Sequence, residues 1–160
     1  MAVTKQNFVN LAARAIGSGL AASALSAAAL LWRGSKDNGA PLSGLNAPSH
    51  WLWGDEALRH AELSRRYTAW GAGIHQASSL LWSTVYELAH QRHRRPHVGT
   101  VVCDAVLVTA VAAVVDLKLV PQRLTPGFER RLSARSLIVV YGGFALGLAV
   151  AGLHRLAKRA

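Results

Sequence analysis

The stretch GIHQASSLLWSTVYE, residues 73–87, sets His75, Gln76, Ser79, Ser83 and Glu87 among residues suited to hydrocarbon. At 100° per residue these five, with Trp82 and Tyr86, share a helical arc of roughly 120°. Ala77, Leu80, Leu81, Thr84, Val85 and Leu88 take the other side. Further groups capable of chemistry sit in or beside other apolar runs: Asp104, Asp116, Tyr141 and His154. Carboxylates and an imidazole brought together can bind a metal ion or pass a proton. An ionisable group facing lipid costs several kcal/mol, so this polar arc must look into a bundle, where function is to be sought.

The elements that would position these residues are four apolar blocks, at about residues 15–32, 69–89, 98–120 and 136–153. Each approaches the roughly 20 residues a helix needs to cross a bilayer. The expected fold is all-α, a four-transmembrane-helix bundle forming one integral membrane domain over residues 1–160. Lys5 and Ala-rich triplets allow the first block to be a cleaved signal. Its apolar run, however, continues through Leu30, Leu31 and Trp32, longer than such cores usually are. The second block is the least apolar, and its rival reading is an amphipathic helix lying in the interface. Between these two blocks an amphipathic interfacial segment is expected. His50, Trp51 and Trp53 stand where interfacial aromatics belong, and a short helix starts near Asp55 or Glu56. His50 and Asp55, flanking the tryptophans, mark where a lipid-active site could sit.

Depth suggests partners. The turn QRHRRP makes the second and third spans antiparallel, so residues whose numbers sum to about 187 lie level at 1.5 Å per residue. One cluster then gathers Glu87, Asp104 and His154 toward one membrane surface. A second joins His75, Asp116 and Tyr141 toward the other. Plainer readings stand beside these. Glu87 and Asp104 can reach headgroups or pair with the basic turn, and His75 can bond Ser26 or a backbone carbonyl. His90, His93 and His97 read as surface residues of that turn, at a spacing that matches no known metal box. Small residues at four-residue spacing, Gly143, Gly147 and Ala151, suit close helix packing. So do Ser18, Ala22 and Ser26, with Gly19, Ser23 and Ala27 beside them. Packing within the chain and self-association both remain open.

Only 16% of the 160 residues are charged, against roughly 25% in soluble proteins. Lys and Arg number 18 against 8 Asp and Glu. Most of the excess flanks the apolar blocks, as at Arg92, Arg94, Arg95, Arg155, Lys158 and Arg159, which suits anionic headgroups and not nucleic acid. With both termini on one side, that side holds eight basic residues and the other ten, a difference too small to set orientation. Cys103, the only cysteine, reads as a small buried hydrophobe. No P-loop, HExxH, GxSxG or dinucleotide motif is present. No cofactor is expected, and a metal role stays open.

NAPSHWLWGDEALR, GIHQASSLLWSTVYE and LVPQRLTPGFERRLSARSL resemble segments of an uncharacterised family of small four-helix integral inner-membrane proteins of proteobacteria. They cover about a quarter of the chain, at residues 46–59, 73–87 and 119–137. The resemblance implies an inner-membrane location and four helices, and brings no activity or site residue. The expected role is an accessory or structural component binding other membrane subunits or lipids. A small oligomeric transporter or channel using the polar face is the alternative, and a lipid-modifying enzyme the second.

Overall fold

The computed structural model describes residues 5–158; Arg159 and the side chain of Lys5 lie outside the described residues. Every regular element among the described residues is helical. Four long helices dominate: α1 (Lys5–Asn38), α2 (Tyr67–His90), α3 (Val98–Val114) and α4 (Ala134–Ala157). α3 continues through a π-helical turn, Val115–Leu119. Local chemistry starts two of them. The His97 ring and Thr100 hydroxyl form a capping box for α3, and the Ser133 hydroxyl accepts from Ser136 N at the head of α4.

Consecutive helices run antiparallel. α1 packs on both α2 and α4, and α3 closes the other side. α1, α3 with its π turn, and α4 are long and apolar enough to cross a membrane. α2, at 24 residues, has the length without the apolarity, because its polar arc dilutes it. Three of the four expected spans therefore meet that standard.

The two small-residue lines of α1 between them meet α2 and α4. Ser18, Ala22 and Ser26 are buried, and Ala22 lies against α4. A Cβ on Gly147 would lie 2.4 Å from the Ala22 Cα, and one on Gly143 would lie 3.0 Å from the Leu25 carbonyl oxygen. Gly19 meets α2 instead, where a Cβ would come 2.8 Å from Ser83 Oγ and 2.9 Å from Leu80 Cδ2. The small stripes thus meet within one chain; Ala151, third in the α4 stripe, is half-buried. Leu80, assigned above to the lipid side, packs against α1, because Gly19 leaves room for it.

In the segment between α1 and α2, the short helix expected near Asp55 or Glu56 is the 3₁₀ helix Gly54–Arg59. The rest of the segment includes the single turns Ser43–Asn46 and His50–Trp53. Ser43, Asn46, Ala47, Ser49 and His50 are buried, so this stretch plugs one end of the bundle. Leu30, Ala47, Phe128, Leu132 and Val140 make the apolar core beneath it. Asn46 fastens the plug. Its Nδ2 donates to the His60 and Glu62 carbonyls at 3.2 and 3.0 Å, and its Oδ1 accepts from the Thr68 hydroxyl at 2.8 Å. Asn46→Ala is expected to cost about 1–3 kcal/mol by stranding these groups. A lowered thermal midpoint of the detergent-solubilised protein, absent in the exposed-site variant Leu52→Ala, would register it.

Candidate functional site

The polar arc of α2 faces inward. Ser79, Ser83, Tyr86 and Glu87 are buried, while Ala77, Leu81, Val85 and Leu88 are exposed. Its groups do not form one cluster. Helices of this length carry them to opposite ends of the bundle, with Ala22, Tyr86, Val108, Phe144 and Leu148 packed between.

At the plugged end lies a cavity of about 200 Å³ between α2, α3 and α4. Ile74, Trp82, Val115, Leu124, Phe128 and Phe144 give it mainly apolar walls, and His75, Asp116 and Tyr141 also line it. Tyr141 Oη donates to Asp116 Oδ2 at 3.3 Å. Asp116 belongs to the π turn, a feature that often marks functional sites because it re-aims one side chain out of the regular helical order. His75 Nε2 lies 3.0 Å from Ser26 Oγ, and the Ser26 hydroxyl donates to the Ala22 carbonyl at 2.7 Å. With that hydroxyl proton engaged, a proton on His75 Nε2 suits this contact, and the ring also bonds the Ser23 carbonyl. Exposed Leu81 lines the same cavity, so its mouth reaches the outer surface of the bundle. Gln76 is half-buried, and its Nε2 has no protein partner.

The other end holds two separate groups. Glu87, 1% exposed, takes hydrogen bonds on Oε1 from Ser18 Oγ and from Arg155 Nη2. Arg155 Nη1 also donates to Ser18 Oγ at 3.0 Å, so one ion pair joins α1, α2 and α4. Ser83 donates to the Ala15 carbonyl at 2.8 Å. Asp104 is not part of this group. It lies 2.8 Å from His90 Nδ1 and, through Oδ1, 3.2 Å from His93 Nε2. His154 joins neither group: it is exposed, and its neighbour Arg155 occupies the inward position. One residue, 100° of helix rotation, separates the expected partner from the observed one.

His90 and His93 were assigned to the solvated surface, and the structure corrects this. His90 closes α2 and His93 lies in the turn after it, and both rings reach Asp104 on α3. The signal in the sequence was histidine at i and i+3 beside a carboxylate one helix away. His90, His93 and Asp104 bring potential ligand atoms within 4.8 Å of one another.

Three other expectations change. His50 is buried, and its Nε2 and Trp51 Nε1 both bond the Thr125 carbonyl, each at 2.8 Å. Asp55 pairs with Arg130 Nη1 at 2.8 Å. The His50–Asp55 constellation therefore does not form, and both residues brace the plug. Trp53 is half-buried beneath Arg66, whose guanidinium carbon lies 4.2 Å from the ring centroid. Nearby, the Tyr67 hydroxyl donates to Glu56 at 2.8 Å and, with Arg66 beside it, holds the Glu56 carboxyl below the usual carboxylate range. Cys103, expected inside, is exposed on the outer face of α3. Set against protein-family models, curated proteins and solved structures, the chain matches none of them, so its function must be argued from the geometry of these two ends.

Proposed function

We propose that the chain is a four-span inner-membrane protein that holds one lipid-like amphiphile in the cavity of α2, α3 and α4, as an accessory or structural component of the membrane. The observation that carries this reading is the cavity itself: apolar walls with His75, Asp116 and Tyr141 gathered on them. Such a combination suits a chain-like ligand with one polar end. The polar groups narrow the chemistry. The Asp116 carboxylate is an acceptor, so the ligand presents hydroxyl or amino donors.

Support for α2 as a fourth span comes from its outer face, where Leu81, Val85 and Leu88 are exposed as Val102, Val106 and Leu107 are on α3 and Leu146 and Val150 on α4. The inner-membrane location rests on the family resemblance. Exposed Arg92, Arg94 and Arg95 suit anionic headgroups. A channel is less well supported, since the packed layer around Tyr86, Phe144 and Leu148 separates the two ends. Binding to other membrane subunits would use the same exposed helix faces.

Native mass spectrometry of protein purified in mild detergent tests the reading. One amphiphile per chain is expected to co-purify. Asp116→Ala and Ser78→Phe, the second filling the cavity, should weaken its retention by roughly tenfold, as loss of about 1.4 kcal/mol does. Val85→Phe on the outer face should retain it. A chain free of amphiphile, or equal retention in all three variants, would sink the proposal.

A further inference from the structure

We infer that His90, His93 and Asp104 form a binding site for one divalent transition-metal ion of the zinc class, at the end of the bundle opposite the amphiphile cavity. The inference does not depend on that cavity. His90 is the last residue of α2, His93 lies in the turn after it, and Asp104 projects from α3. Asp104 Oδ2 stands 2.8 Å from His90 Nδ1 and 3.1 Å from His93 Nε2. Ligand atoms that share a tetrahedral zinc-sized ion at 2.0–2.2 Å stand roughly 3.3–3.6 Å apart, so the two carboxylate–imidazole contacts need only lengthen slightly.

The donor set and its mounting agree with this. Two imidazoles and a carboxylate suit zinc, iron and neighbouring divalent ions far better than calcium or magnesium, which prefer oxygen. The carboxylate is 12% exposed and the His90 side chain 15%, so neither competes freely with water. The Tyr86 ring stacks on His90 at 5.8 Å between centroids, with planes 14° apart, and fixes the imidazole. Without a metal, each imidazole must keep a proton on the nitrogen facing Asp104. A metal ion takes the place of those protons and holds all three groups at once.

Three protein ligands leave a position open. His90 and His93 also line a cavity of about 140 Å³ with Arg14, Glu87, Gln91 and Arg155. That space supplies the fourth ligand, water or a small anion attracted by the two arginines. The arrangement differs from a closed structural zinc site in this respect.

The test uses the full chain in detergent, stripped with chelator and dialysed against limiting zinc, with cobalt substitution as the spectroscopic readout. One zinc per chain is expected, together with a visible cobalt spectrum of low-symmetry, four-coordinate type. His93→Ala, in the turn, and Asp104→Asn, which keeps its size and a hydrogen-bonding oxygen, should each weaken binding at least about tenfold. His154→Ala, exposed on α4, should leave it unchanged. Helical circular dichroism and elution volume confirm that the variants fold. Absence of stoichiometric zinc in the folded parent chain would overturn the inference. So would zinc retained equally by His93→Ala and Asp104→Asn.

Discussion

Arg155→Ala is expected to destabilise the bundle by about 3–5 kcal/mol, the usual result of removing one partner from a buried ion pair. Glu87 is fully enclosed, and its Oε1 accepts from Arg155 and Ser18 alone among the bonds described here. Without the guanidinium the carboxylate must take up a proton or draw water into the packed end. Unfolding in mixed micelles of rising SDS content measures the loss. Arg94→Ala, at an exposed position in the adjoining turn, should change it by less than about 1 kcal/mol. The double variant Glu87→Leu with Arg155→Met should recover most of the stability, because an apolar pair of similar volume avoids desolvation. Similar small losses for Arg155→Ala and Arg94→Ala would mean that Glu87 is not held as described.

Gly147→Leu is expected to cost about 3 kcal/mol, with loss of monodisperse protein. The atoms a side chain would strike are backbone: Ala22 Cα at 2.4 Å, Ala21 O at 2.5 Å and Ala22 N at 2.6 Å. Flexible side chains can move aside, whereas here two helices would have to separate along the longest contact in the fold. Gly142→Leu is the matched control, since nothing lies within 4 Å of a Cβ there. Size-exclusion profiles of the two variants decide it. A well-behaved Gly147→Leu would remove the α1–α4 seam from the account.

Which face of α2 turns inward was legible in the sequence, because a 3.6-residue period is a property of the chain alone. Ser79, Ser83 and Glu87 are buried and Leu81, Val85 and Leu88 exposed for that reason. The stripe of Gly143 and Gly147 was legible too, as a surface that admits a close neighbour. Which neighbour it admits depends on how the helices close on one another. Depth was harder. Asp104 meets His90 instead of Ser83, about two turns away, a difference in level that the spacing of the apolar blocks does not reveal. His50 was misplaced for a similar reason. Its partner, the Thr125 carbonyl, lies 75 residues along the chain, and no local pattern announces it. At the cavity, the meeting of Asp116 and Tyr141 follows from helix length, while the π turn that carries Asp116 leaves no mark in the periodicity.

The pairing of Glu87 with Arg155 also bears on how such a chain is assembled during synthesis. The arginine emerges 68 residues after the glutamate. α2 is the one long helix among the described residues without an apolar stretch sufficient to cross a membrane, and when its carboxylate is made the arginine that pairs with it is not. Ser26 and the Ala15 carbonyl, on α1, are already available to His75 and Ser83. Glu87 has to wait. α2 is therefore expected to reach its final packing only once the last turns of α4 have been made. Nascent chains arrested before Arg155 should hold α2 loosely, open to modification from the aqueous side, until the last turns of α4 arrive.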